Sequence, residues 1–213
     1  MTVREGKYGF PIMKDIIPEG KSGNCAIEHF TINEQEASMQ VMRGIYNREY
    51  LAREIYDGEF IRLRVNGGLM MSDTGGERVY SRDIVHNAHG IVLIAGLGIG
   101  LILTRIVLKP EVNKVIAVEI SPDVITLVEP HIRTYLGEQS NKLEIVQSDI
   151  YDYTPTDKLN TVFFDIWANY SGDTYEETKK LHRKFSKYLD HANSPYIESW
   201  MRWHMKDLHF GRN

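Results

Sequence analysis

An open α/β sheet of about five mostly parallel strands, preceded by a small β-rich lobe, is the architecture this sequence predicts. Three observations predict it. A continuous apolar run, Ile91–Ala95, leads directly into a glycine turn at Gly96–Gly100. From that turn onward, strand-like and helix-like segments alternate, which implies parallel strands joined by right-handed crossovers. Before it, Glu59–Val65 alternates with period two and turns at Asn66-Gly67-Gly68, as half-buried antiparallel strands do.

The elements follow in order. Residues 1–23 hold two prolines and four glycines without a sustained period and read as an irregular arm. Asn24–Ile32 alternates as a strand. Residues 34–46 place Ala37, Val41, Met42 and Ile45 at the spacing of a short amphipathic helix, weakened by Gly44. Glu59–Val65 and Leu69–Ser72 form a hairpin, and a helix from about Glu77 to Ala88 links it to the next region. Residues 1–75 thus read as arm and lobe, and 76–213 as the larger domain. There, Ile91–Ala95 is apolar throughout, as expected of a strand covered on both faces. The glycine turn opens a helix through about Leu108, and Lys114–Glu119 is the second strand. Ser121-Pro122-Asp123 begins a helix with a capping hydroxyl, proline at its first position and an early carboxylate. Pro130 is expected to kink or end that helix, and Gly137 to stop any remainder. Leu143–Gln147 and Thr161–Asp165 are strands three and four. Thr174-x-x-Glu177 reads as a capping box opening a further helix. Pro195–Trp200 is a short fifth strand, and 201–209 a final helix.

Ligands of such sheets sit beyond the carboxyl ends of the strands, where strand order reverses. The residues there are informative. Gly96-Leu97-Gly98-Ile99-Gly100 follows strand one, and glycine lets backbone N–H groups approach a ligand. Glu119 ends strand two, with Ile120 beside it, where a carboxylate can accept from both hydroxyls of a ribose. Ser148-Asp149-Ile150 follows strand three, where an acid can accept from an adenine amino group. A dinucleotide fingerprint would need glycine at 101, where the chain has Leu101.

Glycines at 96, 98 and 100 resemble the G-x-G-x-G turn of class I S-adenosylmethionine-dependent methyltransferases, which implies a Rossmann-like domain and S-adenosylmethionine as cofactor. Within that superfamily Val92–Ile120 (VLIAGLGIGLILTRIVLKPEVNKVIAVEI) is similar to the spermidine synthases and related aminopropyltransferases. Glu77-Arg78 resembles their E-R pair. The resemblance places Asp149 near adenine and Asp165 on the first aspartate of their D-S-S-D-P loop. It covers roughly residues 59–170. The departures are specific. Ile94 stands where methyltransferases often carry an acid, Ile99 replaces the aspartate that selects decarboxylated cofactor, Ala168 replaces the second loop aspartate, and a Y-H-E segment is absent. Losing two acids argues against a polycationic polyamine substrate. The pattern also stops after five strands, short of the seven usual for methyltransferases.

Asp165-Ile166-Trp167-Ala168-Asn169-Tyr170 lies beside the transferred group in that superfamily. Asp165 is the candidate base, and Trp167 and Tyr170 are a candidate aromatic wall for a sulfonium. Asp73 or Thr74 is expected to reach over the cofactor's sulfur end. The leading expectation is a methyltransferase acting on a small molecule or exposed side chain. The alternatives are an aminopropyl transferase using decarboxylated S-adenosylmethionine, and a non-catalytic nucleoside-binding protein.

Bulk properties exclude other classes. The 213 residues are 42% hydrophobic and 25% charged, with formal net charge −4 and pI near 6.1. That balance does not favour nucleic acid, and Lys179, Lys180, Arg183, Lys184 and Lys187 read as a solvated helix face. No apolar run reaches membrane-spanning length, and the N-terminus lacks a secretory pattern. His86 and His89, one turn apart, have no further ligands nearby, so no metal is expected. The single cysteine, Cys25, fits a reducing, cytoplasmic setting. An exposed sheet edge suggests a homodimer.

Overall fold

The computed structural model describes residues 3–47, 49 and 51–211. Two sheets organise it. Strands β1 (Gly20–Ser22), β2 (Cys25–Ile32), β3 (Gly58–Val65) and β4 (Gly68–Ser72) form an antiparallel sheet in that order. Strands β5 (Gly90–Ala95), β6 (Val112–Glu119), β7 (Leu143–Gln147), β8 (Thr161–Phe164) and β9 (Tyr196–Ser199) form a five-stranded sheet ordered β7-β6-β5-β8-β9, parallel throughout. Order reverses at β5, which pairs with β6 on one side and β8 on the other. This is the Rossmann-like, doubly wound arrangement expected from the alternating pattern.

The helices are α1 (Glu34–Tyr46), α2 (Gly75–Asn87), α3 (Leu103–Ile106), α4 (Pro122–Leu136), α5 (Gly172–Ser186) and α6 (Arg202–His209). Three differ from expectation. The helix after the glycine turn is a single α-turn, because the left-handed φ of Gly98 and Gly100 delays helical geometry. Helix α4 runs through Pro130 unbroken; Val124, Val128, Ile132 and Leu136 bury one stripe and offset the lost N–H. Its C-cap is Gly137, whose N–H donates to the Arg133 carbonyl. The box opening α5 lies three residues early: Ser171 is the cap and Thr174 its reciprocal partner.

Helix α1 forms as spaced, held by an Asn33–Glu36 capping box, but Met42 and Ile45 face solvent; only Ala37 and Gly44 are fully buried. The arm is more ordered than its composition suggests. Phe10, Met13 and Ile17 are buried and join an apolar cluster with Ile27 and Leu63 of the small sheet, Val92 and Ile94 of the large one, and Val128 and Ile132 of α4. A second cluster, including Leu93, Phe164, Leu181 and Phe185, packs α5 on the other face of the parallel sheet. Among the described residues no helix is long and apolar enough to cross a membrane.

Candidate functional site

A cavity of about 320 Å³ opens at the carboxyl ends of the parallel strands. Its floor is built by the turns after β5, β6, β7 and β8: Gly96 and Gly98, Glu119 to Ser121, Ser148 to Tyr151, and Asp165 to Trp167. Its roof comes from the small sheet, with Leu63 and Val65 of β3 and Met70 and Met71 of β4. Glu77 from α2 and Trp200 after β9 close one end.

The glycine turn has local steric causes. At Gly96, φ is +93°, and an added Cβ would strike the backbone oxygen of Asp165. At Gly98, φ is +51°, and an added Cβ would strike the Met71 sulfur. Gly100 serves packing instead: it faces Ile132 and Val128 of α4 and does not line the cavity. The Ile99 N–H, 3.3 Å from Met71 Sδ, is directed at that thioether.

Glu119 is 8% exposed and tied at both oxygens, Oε2 accepting from the Leu97 N–H and Oε1 from the Ser121 N–H, each at 2.8 Å. The carboxylate therefore pins the glycine turn to the start of α4. A carboxylate has about four lone-pair sites, so two remain for hydroxyls in the cavity. Leu97 contributes its backbone only and is buried away from the cavity. Asp149 Oδ1 accepts from the Tyr151 N–H at 2.8 Å, and Lys184 donates to the Ile150 carbonyl at 3.2 Å, which fixes this turn on α5. Ile120, 64% exposed, stands at the mouth with half-exposed Tyr151, while Ile150 is buried beneath.

At the other end two carboxyls meet without a cation. Burial lifts Asp165 to about 7. Burial and the neighbouring charge of Asp165 lift Glu77 to about 8, against a donated hydrogen bond from the Trp200 indole N–H at 3.2 Å. The Trp167 indole donates instead to Glu177 at 2.7 Å.

Of the residues anticipated from sequence, the structure brings Gly96, Gly98, Glu119, Ile120, Asp149, Ile150, Asp165 and Trp167 around one cavity. It puts others elsewhere. Asp73 is fully buried, accepting from the Ile61 N–H at 2.7 Å and Arg78 Nη2 at 2.9 Å. Its carboxylate is consumed by that ion pair, so it cannot reach over a ligand. Thr74 precedes α2 with its hydroxyl 3.0 Å from that of Ser72, outside the cavity. Tyr170 stacks on His204 of α6 at 5.6 Å, because the chain turns outward after Trp167. Trp200 and the Met70–Met71 roof carried no motif in the sequence. Glu77 did, as half of its E-R pair with Arg78, but nothing local pointed it at Asp165.

No family model matches this chain, and no curated protein matches it. Solved structures do. Spermidine synthase from Thermotoga maritima is 15% identical, with 95% of this chain and 64% of that one covered at a TM-score of 0.47. The DhpI complex with SAH is 16% identical over 76% of this chain and 65% of that one, at 0.43. The glycopeptide N-methyltransferase MtfA, solved with S-adenosylmethionine, is 18% identical over 56% and 48%, at 0.40. The chain spans less than two thirds of the length of each of these proteins.

The charge of the cavity is one-sided. Glu77, Glu119, Asp149 and Asp165 line it, and among the described residues no Lys, Arg or His does. A phosphate-bearing nucleotide entering it would meet four acids and no counter-charge. A cationic nucleoside meets what it needs.

Proposed function

We propose that this chain is an S-adenosylmethionine-dependent transferase, with methyl transfer to a small-molecule or side-chain amine or hydroxyl as its leading activity. One observation carries the reading: a nucleoside-sized cavity with four carboxyls and, among the described residues, no basic side chain, on the glycine turn of a doubly wound sheet. Residues 76–213 supply the nucleoside floor and residues 1–75 the roof. Glu119 takes the ribose hydroxyls, Asp149 the adenine amino group, and Ile120, Ile150 and Tyr151 the faces of the base. The turn Gly96–Gly98 passes the sulfur end toward Asp165 and Trp167. When bound, the sulfonium supplies an electrophilic carbon.

The remaining chemistry belongs to the protein. Asp165, poised at about 7, accepts the proton that the attacking amine or hydroxyl releases. Glu77, at about 8, stays largely protonated at neutral pH and can donate to the acceptor or hold it in line. Trp167 and Trp200 flank this end, where indoles favour a cation. A second reading, aminopropyl transfer from the decarboxylated cofactor, draws on the Met71 contact. With the Ile99 N–H directed at a thioether and no cation present, the cavity offers little to a cofactor carboxylate.

Calorimetric titration with S-adenosylmethionine, its decarboxylated form and NAD tests both. A sulfonium nucleoside should bind with proton release between pH 6 and 8, its affinity rising by up to about tenfold per pH unit. NAD should not bind. Binding of NAD, or of no sulfonium compound at any pH, would refute the proposal. A preference for the decarboxylated form selects the second reading.

A further inference from the structure

Helix α1 is packed unlike the elements around it. Its inward face is small: Ala37 and Gly44 are buried and Val41 half-buried. On the opposite side Met39, Met42 and Tyr46 are 58%, 73% and 88% exposed. With Gln35 these residues fall at spacings of four, three and four, the 3-4 repeat of a helix seam that meets another helix. Ile45, 53% exposed, lies on one flank of the seam; Glu36 and Arg43 lie on the other.

That flank identifies the partner. If Met39 and Tyr46 are a positions and Gln35 and Met42 are d, then Glu36 and Arg43 are both e, and Ser38 and Ile45 both g. Reversing one helix against another brings like flanks together, e against e and g against g. Glu36 and Arg43 sit one heptad apart, so a two-fold axis near the middle of the helix sets each Glu36 opposite the partner's Arg43, twice. A parallel pair would set both charges against Ser38 and Ile45, without complement. Charges at these positions fix orientation and partner. We propose that α1 is a self-association surface: two copies of this chain pair their α1 helices antiparallel, Met39, Met42 and Tyr46 forming the seam and reciprocal Glu36–Arg43 contacts setting its register.

The local chemistry permits this. Glu36 Oε2 closes the capping box by accepting from the Asn33 N–H at 3.0 Å, which leaves Oε1 for a neighbour. The surface is distinct from the sheet edges at β7 and β9. A 13-residue helix is about 20 Å long, below the span of a standard interface, so association is concentration-dependent, with Kd in roughly the micromolar range.

Sedimentation of the full chain from about 1 μM to about 1 mM reads the association directly. Wild type should pass from monomer to dimer. Arg43→Glu and Glu36→Arg should each weaken pairing by about tenfold or more, since each places two like-charged pairs at the seam. An equimolar mixture of those two chains should recover wild-type affinity as a heterodimer, and so should the double charge swap in one chain. Glu36→Arg also opens the capping box, so circular dichroism and melting accompany each variant; Arg43→Glu and Met39→Glu with Met42→Glu should melt as wild type. Overturning results are a wild-type monomer at every concentration, a dimer indifferent to Met39→Glu with Met42→Glu, or folded single variants that fail to recover on mixing. None of these depends on what the cavity binds.

Discussion

Asp73 and Glu77 are four residues apart at the start of α2, and both carry carboxyls out of water, yet their surroundings differ in kind. Asp73 has partners for its charge: burial raises its carboxyl above the ordinary range, and the Ile61 N–H and Arg78 oppose that rise. The Ile61 N–H and the Arg78 guanidinium hold the carboxylate, and Arg78 also donates to the carbonyls of Phe10 and Pro11, with no part of either side chain exposed. Glu77 has one indole N–H and faces a second acid, Asp165. Burial with a complete set of partners makes a fixed strut. Burial with an incomplete set leaves free energy stored in protonation, which chemistry at neutral pH can draw on.

The contrast is broken most severely at Arg78. Arg78→Met leaves the Asp73 carboxylate and the carbonyls of Asp73, Phe10 and Pro11 without their donor, and should cost about 3–5 kcal/mol of stability by denaturant unfolding. A loss near zero would mean that Asp73 is held by its backbone contact alone. Asp165→Asn keeps the shape and removes the base. Turnover should drop by about 10²- to 10⁴-fold, the limb of the pH–rate profile rising through about 7 should vanish, and sulfonium binding should lose the part of its proton release that Asp165 supplies. A surviving limb would assign the base elsewhere.

Glu77→Gln is the mildest and reports by its sign. The folded-state value near 8 lies above the ordinary 4.5, so the native chain binds more protons than the unfolded one between those limits. Stability of the unliganded wild type therefore falls as pH rises from about 4.5 to 8. The variant should show a flatter curve and exceed wild type by about 1–3 kcal/mol at pH 9. Parallel curves for the two proteins would remove Glu77 from the titrating pair.

What the sequence made legible was what is local. The order of strands and helices, the glycine turn and the acid ending β6 each depend on neighbours within a few residues. The steric reasons for Gly96 and Gly98 were not legible, since they involve Asp165 and Met71. Nor was the acid pair: one member opens α2 and the other follows β8, and only the tertiary fold brings them to one cavity. Pro130 misled because one lost hydrogen bond is a local penalty, whereas the apolar stripe that outweighs it is a tertiary gain. Asp73 misled for a related reason, its partner Arg78 having been read as half of a family motif.

The apolar cluster that begins at Phe10 also bears on how the molecule melts. Side chains from the arm, the antiparallel sheet and the crossover helices interdigitate on one face of the parallel sheet, so the antiparallel sheet has no core of its own to lose separately. Heating should give a single calorimetric transition, with the cavity between the sheets disappearing in the same step as the strands that frame it.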